Sequence, residues 1–409
     1  PLAAQTTPQP IALKAARMFD GTSDGLTTPG LVVITGGRIT SVGGAIPEGA
    51  KVIDLGDATL LPGFIDSHTH LSAEMGTSFI ADFFTLTFRH PTEQAHHAAV
   101  LAKRTLDAGF TTVRDLGSSE YVDVGLRNAI NAGVIPGPRM FISVHGLGAT
   151  GGHGDSDPIP PQRIVHKTVR EGTCNGAALC LEAVRWQTKY GADVIKIIPS
   201  GGVLSLSDPV DSPTMTYEEV AAIVEEAHHL GRKVAAHCHG DAAAKVAIRA
   251  GVDSIEHGSF LKPDTLASMR EKGVYLVPTL SAAESVKRTQ FPPAIRAKAD
   301  AASAAVAEMF KNALRSGVPI AFGSDAGVYP HGRNAGEFAL MTGLGMKPAA
   351  ALRSATTVAA QLVGVDAGTL QAGKLADVIA VPGNPLDDIR ATERVFFVMK
   401  EGAVYKNQP

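Results

Sequence analysis

From Gly63 to about Val363, short apolar runs rich in β-branched residues alternate with longer stretches whose apolar positions recur at helical spacing. That alternation is the pattern of a parallel sheet with crossover helices. Eight candidate strands stand in the span: "GFIDSHTH", "TTVRDLG", "RMFISV", "VIKIIP", "KVAAHCH", "SIEHG", "YLVPTL" and "IAFGSDA". The helical stretches are clearest in "TEQAHHAAVLAKRTLDAG", "TYEEVAAIVEEAHHLG" and "DAAAKVAIRAG". Each is expected to open on a capping Thr or Asp and to close near a Gly. Eight such units predict an α/β fold, a (β/α)8 TIM-like barrel, over residues 62–363.

The flanks, 1–61 and 364–409, follow a different pattern, short strands broken by turns, as in "LVVITGGRITSVGG", "KLADVIAVPGNP" and "VFFVMKEGAVYK". Neither flank holds enough alternating strands for a core of its own, so both chain ends are expected to build one small β-sandwich. "TGGR" and "KEGA" suit hairpin turns. There is no low-complexity segment and no short repeat beyond the βα alternation.

With 409 residues and 44% hydrophobic content the chain can bury a large core. A net charge of −3, with Lys and Arg scattered, argues against nucleic acid and anionic membranes as partners. Aromatic residues, at 5%, offer no base-stacking platform. No apolar run approaches the ~20 residues of a membrane-spanning helix. The opening "PLAAQTTPQP" has no Met and sets small residues before a polar tail, which leads us to expect a periplasmic or secreted protein, with a cytoplasmic one as the alternative. Cys174 and Cys180 are close enough in sequence for a small disulfide loop and equally compatible with two thiols, whereas Cys238 stands apart among apolar neighbours, as a buried thiol does.

If the barrel is correct, chemistry belongs at the carboxyl ends of its strands. His68 and His70 end the first run, and period-two alternation puts both on one face. That suits two nitrogen ligands on one metal, and it also suits a pair of hydrogen-bonded surface groups. Lys196 lies inside the fourth run, His237 ends the fifth, His257 the sixth and Asp325 the eighth. A lone strand-end His is usually structural; six such residues converging point to a metal centre. Lys196 is flanked by Val194, Ile195, Ile197 and Ile198, so its ammonium would be costly to bury. A salt bridge would relieve that cost. So would reaction of the neutral amine with carbon dioxide, giving a carbamate whose two oxygens can bridge two metals, and the four histidines with Asp325 favour this second route.

The ordered motifs "PGFIDSHTHL", "GADVIKIIPSGGV", "KVAAHCHG", "DSIEHGSF" and "FGSDAG" resemble the amidohydrolase superfamily, in particular its imidazolonepropionase-like metallo-dipeptidases and carboxypeptidases. The resemblance spans almost the whole chain and is closest to bacterial amidohydrolases that split ochratoxin-type N-acyl phenylalanines. It implies two Zn2+ per chain, one held by His68, His70 and Asp325 and the other by His237 and His257, with carboxylated Lys196 bridging them. It further implies a bridging hydroxide as nucleophile, a zinc-polarised carbonyl, and Asp325 carrying the proton to the leaving nitrogen. The expected reaction is hydrolysis of the amide bond before a C-terminal amino acid, in a small-molecule dipeptide or N-acyl amino acid, by a homo-oligomer. A lactone or phosphotriester hydrolase with the same metals is the alternative. A mononuclear deaminase has no need of a bridging Lys196, and a non-enzymatic barrel no need of the full ligand set.

For substrate contacts, the resemblance points to His153, in the glycine-rich "GLGATGGHGD", as a group that holds a substrate carbonyl or carboxylate; His145 is a poorer candidate. His239 shares a face with His237, and many relatives carry there a Tyr that helps bind the α-carboxylate, so the preference is open at this position. "PSGGVLS" offers Val203 and Leu204 to a pocket wall, and "AGVYPHG" offers Tyr329 and His331; plain loop structure is an equal reading for all four.

Overall fold

The computed structural model describes residues 8–155, 160, 162, 166–206, 208–286 and 290–408; most of the opening segment on which the export expectation rests, 1–7, lies outside the described residues. The N-terminal flank forms β1 (Ile11–Ala15), β2 (Arg17–Met18), β3 (Gly30–Thr35), β4 (Arg38–Val42), β5 (Lys51–Asp54) and β6 (Ala58–Pro62). The central strands are β7 (Phe64–Thr69), β8 (Phe110–Asp115), β9 (Arg139–Ile142), β10 (Val194–Ile197), β11 (Lys233–Cys238), β12 (Ser254–His257) and β13 (Tyr275–Val277). β14 (Val378–Pro382), β15 (Phe397–Lys400) and β16 (Ala403–Asn407) complete the chain.

The central strands make two parallel sheets, β7-β8-β9 and β10-β11-β12-β13. Every residue of β7, β8, β10 and β12 is buried, as parallel strands covered on both faces require. Individual hydrogen bonds join the sheets on both sides. The Leu147 N–H donates to the Lys196 carbonyl (2.8 Å), and the Ile198 N–H to that of Leu147 (2.8 Å). On the other side the segment expected as the eighth strand touches β13 through Ala321 N–H to Leu276 O (2.9 Å) and β7 through Asp325 N–H to His68 O (2.8 Å). That segment forms isolated bridges and no ladder, which corrects the expectation of a regular strand. Asp325 takes a left-handed φ of 59°, and Ser324 bonds to the Asp66 carboxylate, so strand geometry does not persist there.

Below the histidines, at the starts of β7 and β8, Phe64 and Phe110 pack with Phe322 and Phe338, ring centroids 4.6–5.5 Å apart. Each such buried ring contributes about 1.5–3 kcal/mol relative to exposure. This end is a packed support for the polar end.

The flanks form two further sheets, β4-β3-β1-β5 and β16-β15-β14-β6-β2. Only the second mixes the chain ends, through the antiparallel pair β6–β14 with Leu60 opposite Ala380 and Leu61 opposite Ile379. Alternation then divides its side chains. Leu60, Val378 and Phe397 cluster with Leu13, Val32 and Ile34 of the first sheet, while Leu61, Ile379 and Val398 join the central core. Both expected hairpins form, and at the "KEGA" turn Glu401 and Gly402 take φ of 51° and 77°, as a tight two-residue loop requires.

Of the expected helix caps, Thr216 stands in a full capping box with Glu219, opening the helix Tyr217–His229. The other two helices start differently. Pro91–Asp107 begins on Pro after an N-cap His90, and Asp241–Ala250 has Gly240 at its N-cap, while Asp241 accepts hydrogen bonds from Lys262 N–H and the Thr265 hydroxyl. Cys174 and Cys180 are disulfide-bonded and Cys238 is a buried thiol. Alkylation of the unfolded protein without reductant is therefore expected to label Cys238 only; label on Cys174 or Cys180 would contradict the bond.

Candidate metal centre

The end of β7 and the residues just after it are pinned from both sides. The buried Asp66 carboxylate accepts the His68 N–H (3.1 Å), the Ser324 N–H (3.0 Å) and the Asn334 amide (2.8 Å), tying β7 to the segment that carries Asp325. Asp115, at the end of β8, accepts the Leu71 N–H (2.5 Å) and the Thr69 hydroxyl (3.3 Å). Burial pushes the two carboxyls up, to about 6 for Asp66 and about 7 for Asp115. Their hydrogen bonds fix where the two histidines point.

The imidazoles converge. His70 Nε2 lies 3.2 Å, and His68 Nε2 3.5 Å, from Asp325 Oδ1. The His257 ring is 5.0 Å from that of His68 and 4.6 Å from that of His237, centre to centre. Ligand-type atoms gather in two sets within 4.8 Å, His68 with His257 and Asp325, and His237 with His239 and His257. His257 thus stands between the sets, and His239 joins the second. His257 and Asp325 both hold left-handed backbone (φ 68° and 59°), a strain of order 1–3 kcal/mol each that clusters at functional sites.

Burial holds the His68 imidazole down at about 4, His239 at about 3, and His237 and His257 well below the usual range, so all four are neutral near pH 7, as nitrogen ligands must be. Burial opposes a charge on Asp325 as well, but His68 and His70 outweigh it and keep the carboxyl below its ordinary value. The Lys196 Nζ is buried without a hydrogen-bond partner, and burial lowers its pKa to about 8 despite the Glu256 and Asp325 carboxylates. His70 supplies the test of fit. Burial opposes a charge on His70, but Asp325 and Asp115 outweigh it and raise its pKa, while the Gly117 carbonyl, 3.1 Å from Nδ1, can only accept and so holds a proton on that nitrogen. Nε2 lies 3.2 Å from Asp325 Oδ1, a buried oxygen without a hydrogen-bond partner, and a cation between the two satisfies it. The donor set fits a metal.

These groups line a cavity of about 470 Å³, whose wall also includes Leu86, Val203, Leu204, Val286 and Val306. Three helices that the sequence did not assign to the site, Phe79–Phe88, Leu280–Ser285 and Pro293–Ser316, contribute to this apolar wall. His153 and His239 line it too. The His153 ring stacks on His237 at 4.7 Å, where a Cβ on Gly202 would lie 2.3 Å from it, and its Nδ1 has no partner. His239 Nδ1 is 2.9 Å from the Ser259 hydroxyl.

Tyr329 and His331 are not brought into this cavity. His331 Nε2 donates to the carbonyls of His70 (3.2 Å) and Ala73 (3.1 Å), a brace for the loop after β7, and Tyr329 borders a separate hollow with Arg333 and Arg390. His145 lies against Tyr121 and Gln187, away from the cavity. Two groups escaped the sequence reading, Arg114 and Glu256, both buried beside His68. A charged residue in the middle of a buried strand, the signal that singled out Lys196, marks both.

The pattern of the Amidohydrolase family matches residues 59–406. Ochratoxinase of Aspergillus niger is 34% identical over 370 residues, 85% of this chain and 75% of its own length. A crystal structure of a Xaa-Pro dipeptidase with bound methionine superposes with a TM-score of 0.93 at 38% identity, covering 98% of this chain and 100% of that one. A prolidase complexed with N-methylphosphonate-L-proline gives 0.89 at 31% identity with the same coverage. Matched over most of its length by that family pattern, this chain belongs to the amidohydrolase family and is a metal-dependent hydrolase.

Proposed function

We propose that the chain is a two-zinc amidohydrolase that cleaves the amide bond before a C-terminal amino acid, in dipeptides or N-acyl amino acids with an apolar acyl part, ochratoxin-type N-acyl phenylalanines among them. The observation that carries this reading is the convergence of imidazoles, Asp325 and an unpartnered Lys196 in one largely apolar cavity. His68, His70 and Asp325 would hold one zinc, His237 and His257 the other, with Lys196 as a carbamate between them. When bound, the two cations supply Lewis acidity to the scissile carbonyl and lower the pKa of water from roughly 15.7 to about 7. A Lys196 amine at about 8 is neutral in a useful fraction near pH 7, as carbamate formation needs. The activities named for the ochratoxinase, the Xaa-Pro dipeptidase and the prolidase support the same bond type.

In this reading Asp325 accepts the proton of the attacking water and passes it to the leaving nitrogen, while His153 and His239 donate N–H groups to the substrate carbonyl or carboxylate. Val203, Leu204 and the three helices over the cavity receive the acyl part and exclude water. The two parallel sheets are read as one (β/α)8 barrel over 62–363, and the flanking sheets, 1–61 with 364–409, as a β-sandwich. The bonded Cys174–Cys180 pair supports export to an oxidising compartment. Assembly as a homo-oligomer is part of the same reading.

A panel of N-acyl amino acids, lactones and phosphotriesters tests it. The highest kcat/KM is expected on N-acyl amino acids, and preference for a lactone or phosphotriester would replace the proposal with that activity. His239→Tyr is expected to change the kcat/KM ratio between C-terminal residues by roughly tenfold or more with zinc content unchanged. Loss of a zinc equivalent would instead make His239 a ligand, as its place beside His237 and His257 also allows.

A further inference from the structure

We propose that the buried Arg114–Glu256 pair positions His68, keeping its proton on Nδ1 so that Nε2 turns a lone pair toward the metal position beside Asp325; this rests on the two-metal reading above. Arg114 comes from β8, Glu256 from β12 and His68 from β7, so the three side chains meet across the interior between the two parallel sheets. Their exposures are 2%, 0% and 1%.

The hydrogen bonds leave one arrangement. Arg114 Nε donates to the Ser67 carbonyl (2.6 Å), one terminal nitrogen to the Ser254 hydroxyl (3.0 Å) and the other to Glu256 Oε1 (2.8 Å). The Ser254 hydroxyl donates to the same Oε1 at 2.5 Å. Glu256 Oε2 remains, 2.9 Å from His68 Nδ1. An ionised carboxylate only accepts, so the ring donates from Nδ1, and Nε2, 3.5 Å from Asp325 Oδ1, is left without a proton. Glu256 also directly precedes His257, so one short piece of β12 orients a ligand from each set. Stability alone gives no reason for an ion pair at this depth, because apolar residues of equal volume serve as well or better.

The test replaces both charges together, Arg114→Met with Glu256→Leu, which strands no ion and leaves His68 Nδ1 without its acceptor. The double variant is expected to fold with wild-type circular dichroism, to keep one zinc at wild-type affinity, and to bind the other about 10–100-fold more weakly in competition with a chelator. A folded double variant holding both zincs at wild-type affinity overturns the proposal. Neutron diffraction from the zinc-loaded wild type decides independently of any variant's folding: a proton on His68 Nδ1 facing Glu256 supports the proposal, and one on Nε2 overturns it. A wild type that binds no zinc would be a different failure, that of the two-metal reading itself.

Discussion

Asp325→Asn is expected to lower kcat on an N-acyl amino acid at least about a hundredfold while leaving most metal and substrate affinity in place, since general acid–base catalysis typically contributes 10²–10⁴-fold. Asn keeps nearly the same shape and still offers an oxygen to a cation. It cannot take a proton at neutral pH. In the wild type burial works against the charge on Asp325, but His68 and His70 hold its pKa below the ordinary carboxylate value. Asp325 is therefore ionised at neutral pH, and the proposed contribution as a base is lost only as the pH falls through that lowered value. The variant should lose this acidic limb of the kcat profile together with the rate. Near-normal kcat with two zincs bound would reduce Asp325 to a ligand and shift the proton transfer to His239 or His153.

Lys196→Ala is expected to abolish binding of the metal pair and nearly all turnover while the protein stays folded. Ile195 and Ile197 still bury their side chains, and an unpartnered buried Nζ is removed, so the strand loses little. Deleting a bridging ligand should weaken metal binding by at least about a hundredfold, beyond the 10–100-fold typical of groups that merely orient ligands. Added short carboxylates should restore part of the activity by standing in for the carbamate. Metal analysis and kcat/KM with and without acetate check this; two zincs and full activity in the variant would defeat the carbamate assignment.

The sequence shows the parallel strands well because residues buried on both faces leave near-continuous apolar runs, as in "VIKIIP". Against that background Lys196 stands out, and the strand-end histidines with it. Arg114 and Glu256 carry the same signal but lie among other polar residues, where a charged strand residue reads equally well as a solvated one. The segment around Asp325 looks like a strand, yet side-chain ties to Asp66 and a left-handed backbone interrupt it, and neither leaves a mark in hydrophobic periodicity. His331 could not be separated from a substrate group, because its carbonyl partners at His70 and Ala73 lie about 260 positions away in the chain. The apolar wall has the same origin: only tertiary packing decides that Leu86 and Val306 face the cavity.

Hydrolysis of an amide by a pair of bound zincs, as proposed, can be read in one titration. The chain is stripped of metal with a chelator, zinc is added back in measured equivalents in the presence of bicarbonate, and release of phenylalanine from an N-acyl phenylalanine is followed. No turnover is expected in the apo chain, and the rate is expected to climb to a plateau at two zincs per chain. Turnover without metal, a plateau at a single equivalent, or no release of phenylalanine at any zinc level would contradict the proposal.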